Sequence, residues 1–150
     1  MEDLKITTNQ NKKKLKTMII IKNSQLTNDT VQSINLLLDL NLPIKVAFKL
    51  ARIIKEISSL IDDKLKLERK ILDRYVEKDQ NGNPLPGVDE NNNPIPNTFK
   101  IADIPNFNSE MEELNAIETE LPFEKLQIED LNISSIKVRD LMKLEFLFNL

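Results

Sequence analysis

The chain predicts a mostly α, α+β fold: one very long central helix, a short N-terminal strand, a projecting polar loop or hairpin, and a C-terminal helix. Three observations carry this reading. Residues 44–76 contain no Gly or Pro and repeat apolar residues every three or four positions. The two glycines of the chain, Gly82 and Gly87, both fall in one polar stretch. A short β-branched run, Met18-Ile19-Ile20-Ile21, stands between polar neighbours.

The first element is the strand, expected over 16–22, followed by a turn at Asn23-Ser24-Gln25. Thr27 or Asn28 can cap a helix reaching about Leu40, with Asp29 in its first turn. Val31, Ile34, Leu37 and Leu38 share one face of it. Pro43 then suits the opening turn of the next helix, where a missing N–H costs nothing.

In the long helix, Val46, Leu50, Ile53, Ile57, Leu60, Lys64, Leu67 and Ile71 alternate spacings of four and three. That is a heptad seam with one polar member, Lys64. Such a helix is roughly 50 Å long, and each buried Leu or Ile contributes about 1.5–3 kcal/mol, so the seam needs cover. Ala47, Phe48, Ala51, Ile54 and Ile61 broaden the apolar face of the first half, which is expected to pack against the 28–40 helix and the C-terminal helix. The second half, 62–74, is more charged and either projects or pairs with another copy. Lys45, Lys49, Arg52 and Lys55 form a basic stripe, read as a solvated face first and a contact for nucleic acid or an acidic protein second. Its complement within the chain is Glu110, Glu112, Glu113, Glu118 and Glu120.

Residues 79–98 repeat themselves. Asp79-Gln80-Asn81-Gly82-Asn83-Pro84-Leu85-Pro86 is echoed ten residues on by Asp89-Glu90-Asn91-Asn92-Asn93-Pro94-Ile95-Pro96. Asp and Asn favour side-chain-closed turns and left-handed backbone, and each Pro stops a helix. The expectation is a hairpin, Tyr75-Val76-Glu77 leading out and Phe99-Lys100-Ile101 returning, with the repeats as its irregular tip. A calcium loop fits less well, because Pro84 stands where such a loop requires glycine. Asp79, Asn81, Asn83, Asp89, Asn91 and Asn93 are therefore candidate contact residues of a surface protrusion, and no metal or cofactor is expected.

Beyond it, Thr98-Phe99-Lys100-Ile101 reads as a short strand. Glu110 to Ile117 reads as a short helix capped by Ser109, and Leu121 to Ile128 as an extended segment that Pro122 confines to an edge or a strand start. A closing helix over Ile136–Phe148, capped by Ser134 or Ser135, completes the fold. In domain terms, 1–15 is a flexible basic arm (Lys12, Lys13, Lys14, then Lys16) and 16–150 a single helical-rich domain.

Composition excludes much chemistry. With no cysteine and no histidine, there is no thiol nucleophile, zinc–thiolate site or histidine base. No apolar run approaches the roughly 20 residues that span a bilayer, and no signal peptide is read at the start. Net charge is −3, split as +6 over 1–78 and −9 over 79–150, so the halves can fold together or pair head-to-tail between copies. Crowded acids at Glu110, Glu112, Glu113, Glu118 and Glu120 could hold magnesium, but a helix start favours acids regardless.

Three stretches, "LPIKVAFKLARIIKEI", "LERKILDRYVEKDQNGNP" and "ISSIKVRDLMKLEFLF", together resemble an uncharacterised family of small proteins of tailed bacteriophages. In that family a long helix opens with Leu-Pro-[Ile/Leu]-Lys and ends in Tyr-x-Glu-Lys-Asp-x-Asn-Gly before a polar hairpin, and the chain closes on a Ser-capped apolar helix. The match covers about residues 40–150, and the Pro94-centred second repeat departs from the family's shorter loop. The resemblance implies phage origin and a non-enzymatic role, and carries over no catalytic residue.

The expected function is thus that of a non-enzymatic phage structural or assembly interaction protein, a virion or assembly component acting through the loop and through the seam residues Leu50, Ile53, Ile57, Leu60, Leu67 and Ile71. Its partner would be a phage or host protein or a second copy, in the host cytoplasm or the virion, with no membrane. The alternatives are a small inhibitor of a host defence protein or nuclease, and, less favoured, a nucleic-acid-binding accessory protein.

Overall fold

A computed structural model describes residues 18–132 and 137–149. The expected basic arm with Lys12, Lys13 and Lys14, Lys16 just after it, and the Ser134 or Ser135 cap lie outside the described residues. The fold is mostly helical, with a two-stranded antiparallel sheet. Strand β1 is Met18–Lys22, helix α1 is Asn28–Leu38 and helix α2 is Ile44–Tyr75. Helix α3 is Ile104–Ala116, strand β2 is Glu118–Glu124 and helix α4 is Val138–Lys143. The chain divides into two compact units: residues up to Ile61 with Glu118 onward, and Asp62–Ile117. Helix α2 contributes its first part to one unit and its second part to the other.

The first unit is built on the sheet. Ile20 opposes Glu120 and Lys22 opposes Glu118, with an irregularity between Met18 and Ile20. Alternation then sends Ile19, Ile21, Leu121 and Phe123 inward and leaves Ile20, Lys22, Glu120, Pro122 and Glu124 outward. The inward residues join one core with Ile34 and Leu37 of α1, Leu50, Ile53 and Ile57 of α2, and Leu144, Leu147 and Phe148 near the end of the chain. Thr27 caps α1, its Oγ1 accepting from the Thr30 N–H at 3.2 Å. Lys143 of α4 pairs with Asp29 of α1 at 3.2 Å.

Leu144, Leu147 and Phe148 are buried, but not as one helix. Helix α4 stops at Lys143, a 3₁₀ turn covers Glu145–Leu147, and Phe148 is extended. The reason is a competing partner: Leu126 N–H donates to Leu147 O at 2.7 Å, and Asn149 N–H donates to Leu126 O at 2.9 Å. Phe48 also departs from expectation. It is exposed, because two residues of helix turn it about 160° away from buried Leu50.

The second unit holds the rest of α2, the repeated loop and α3. Ile71, Val76 and Leu114 are its buried apolar residues among those described. Helix α3 starts six residues earlier than Glu110. Asp103 caps it, with Oδ1 accepting from Asn106 N–H at 3.4 Å, and Pro105 occupies the first turn, so Ser109 is interior. The returning strand is reduced to single pairings. Val76 bridges Ile101 and Glu77 N–H donates to Lys100 O at 2.8 Å.

Candidate contact surfaces

Two surfaces carry the residues singled out by sequence. The first is the repeated loop, and its tip is regular. Asp79 Oδ1 accepts from Asn81 N–H at 2.8 Å and Asn83 N–H at 2.9 Å. Asp79 N–H donates to Asn83 O at 2.9 Å, and Gly82 N–H to Asp79 O at 3.1 Å. The same four bonds recur at Asp89, Asn91, Asn92 and Asn93, at 2.9–3.0 Å. Gly82 and Asn92 hold the matching left-handed position, with φ of 81° and 66°. Each turn is then closed below by one further bond, Leu85 N–H to Glu77 O and Ile95 N–H to Gly87 O, both 2.8 Å.

These bonds fix what the side chains can offer. The Oδ1 atoms of Asp79 and Asp89 are committed to backbone donors, which is how short Asp-led turns hold themselves. The side chains of Asn81, Asn83, Asn91 and Asn93 sit on exposed residues. Among the described residues no group of three or more acids could jointly hold a metal ion. The stem is locked by Lys100, which pairs with Glu77 at 3.1 Å and donates its N–H to Leu85 O. Thr98 Oγ1 accepts from Gly87 N–H at 3.1 Å and donates to Ile95 O at 2.7 Å.

The second surface is α2. Of the seam residues, Leu50, Ile53 and Ile57 are fully buried in the first unit, and Leu60 packs against that core. Ile71 is buried in the second unit, whereas Leu67 is 44 % exposed. Lys64, the polar member, keeps only 12 % of its side chain exposed, with its ammonium 3.6 Å from Glu68. The basic stripe faces outward. Arg52 lies over the Phe123 ring, 5.2 Å from its centroid, a cation–π contact. Lys45, Lys49 and Lys55 make no ion pair with a described residue. Of their expected acidic complement, Glu110 pairs with Arg74 at 2.8 Å and Glu118 with Lys22 at 4.0 Å.

Two arrangements escape sequence reasoning. Ile44 and Phe48, one turn apart on the outward side of α2, are 82 % and 65 % exposed, and Leu36 and Leu40 are exposed just before them. The signal was available, since all four lie away from the face defined by Ile34, Leu37, Leu50 and Ile53. In the second unit, Tyr75 meets Phe107 edge-on at 6.0 Å, and Glu110 joins Arg74. The Tyr75 phenol is held above its ordinary pKa, first by the neighbouring Glu110 carboxylate, which favours the protonated phenol, and then by desolvation. These partners lie far apart in the chain, 36 positions for Arg74 and Glu110, so no local pattern announces them.

No family model, curated protein or solved structure matches the chain. Among the described residues, no helix is long and apolar enough to cross a membrane.

Proposed function

We propose that this protein is a non-enzymatic structural or assembly component of a tailed bacteriophage, acting by protein–protein contact. One observation carries the reading. Ile44 and Phe48 stand largely in water beside Lys45 and Lys49, which make no ion pair with a described residue, although the core beneath them is closed. A contiguous apolar surface kept exposed next to charge is characteristic of an interaction site. The resemblance of residues 40–150 to a phage protein family supplies the setting. The tandem turns add a second exposed surface, of the kind that loops on a scaffold provide for contact.

The test is quantitative mass spectrometry of gradient-purified particles from a phage encoding the chain. A structural component is present in a fixed number of copies per particle. Absence from particles, together with a discrete complex with one host protein, overturns the reading in favour of an inhibitor.

A further inference from the structure

The first unit carries two outward faces of opposite character on one core. On α2 the face is apolar and basic. Ile44 and Phe48 are exposed, and between Asp39 and Glu56 the chain holds Lys45, Lys49, Arg52 and Lys55 with no acid. On the sheet the face is apolar and acidic. Ile20 is 47 % exposed and lies opposite Glu120, with Glu124 and Pro122 on the same side of β2. Lys22 pairs with Glu118, whereas Glu120 and Glu124 make no ion pair with a described residue.

The two faces cannot meet within one molecule. Leu50, Ile53 and Ile57 of α2 and Ile19, Ile21, Leu121 and Phe123 of the sheet share one core, so both elements turn these other faces outward. Arg52 spends its cation on the inward-facing Phe123 ring. Among the described residues, Lys45, Lys49 and Lys55 are left without an ion pair on one side, and Glu120 and Glu124 on the other. An apolar centre with a rim of one charge is the complement of an apolar centre with a rim of the other.

We propose that the α2 face of one molecule, centred on Phe48, docks on the sheet face of a second copy, centred on Ile20. This rests on the assembly reading above and names its partner. Because the contact joins two different surfaces, each added copy leaves one of each kind free. It therefore generates a ring where the rotation closes and a filament where it does not. Its charged rim makes the association weaken with salt, since exposed pairs are screened over about 8 Å at physiological ionic strength.

The experiment is sedimentation of the full chain over a concentration series at low and high salt, with far-UV circular dichroism as the folding control. The wild type is expected to self-associate, with the dissociation constant rising about tenfold or more in high salt. Phe48→Asp spoils the α2 face, and Glu120→Lys with Glu124→Lys spoils the sheet face. All three positions are exposed, so each variant keeps the wild-type spectrum. Each variant alone is monomeric. Mixed, they form a one-to-one pair that grows no further, because only one intact face of each kind remains.

A wild type that stays monomeric at every concentration overturns the proposal, including where it binds DNA instead. So does association untouched by Phe48→Asp, or a mixture that fails to pair. A monomer still found in particles removes this contact and leaves the assembly reading standing. A chain that assembles but is absent from particles does the reverse.

Discussion

Asp79 and Asp89 occupy the same place in two successive copies of one turn: each Oδ1 accepts the N–H groups of the residues two and four positions on, at 2.8–2.9 Å. Bonds from backbone N–H to a carboxylate are among the stronger hydrogen bonds in a protein. Asp79→Ala should therefore free the amides of Asn81 and Asn83, each bond contributing about 1 kcal/mol or more to local closure. Amide hydrogen exchange is the measurement. Protection should fall at 81 and 83 and persist at 91 and 93. Loss at all four would show that the turns are not independent.

The two glycines should answer differently to alanine. Gly82 sits at φ 81° with open space around its Cα, so Gly82→Ala costs only the left-handed backbone penalty, about 1 kcal/mol. At Gly87 an added Cβ would meet Thr98 Oγ1 at 2.8 Å, the same atom that accepts the Gly87 N–H. Gly87→Ala should disorder the approach of Thr98 and expose the 85–100 pairing to exchange. Gly82→Ala should leave that pairing protected.

Helix α2 offers a contrast along its own length. Ile57→Asp places a carboxylate in a fully buried site and should unfold the first unit, and Ile53→Ala should cost about 2–5 kcal/mol. Leu67→Asp, at a half-exposed position of the same seam, should lower the stability by about 1 kcal/mol or less. Chemical denaturation of the three variants decides this. Equal losses at 57 and 67 would mean that the seam is continuously covered.

Tyr75 is the single tyrosine of the chain, so phenolate absorbance reports it alone. Its pKa is raised in the folded state, chiefly by Glu110, so the folded chain retains the phenolic proton after the unfolded chain has lost it. The associated stability is fully present below the unfolded tyrosine pKa of about 10 and is lost as pH rises through the higher folded value. Glu110→Gln should move the titration down toward the ordinary value. An unchanged midpoint would remove Glu110 as the cause.

The parts legible in the sequence are those governed by local rules. Pro43, the unbroken run after it and the Thr27 cap place α1 and α2 within a residue or two, and the Asp-Asn-Pro repeat announces two turns. What local rules miss is decided by partners distant in the chain. The terminal helix breaks because Leu126 captures the backbone of Leu147 and Asn149. Helix α3 begins at Asp103-Ile104-Pro105, a start signal that the denser acids after Ser109 obscure in the sequence. Phe48 looks like core by hydrophobicity and is surface by angle. The regularity of the loop was half visible: its period was plain, but a shared hydrogen-bond pattern cannot be read from composition.

Because each turn of the loop closes upon its own residues, this stretch of the chain is quantised in length. An insertion or deletion of a few residues breaks a carboxylate-held turn, whereas one of ten adds or removes a whole module and leaves the Val76–Ile101 stem in register. Related chains should therefore differ in this stretch by whole modules, so that the reach of the protrusion is set by counting turns and can change without redesign of the helices that carry it.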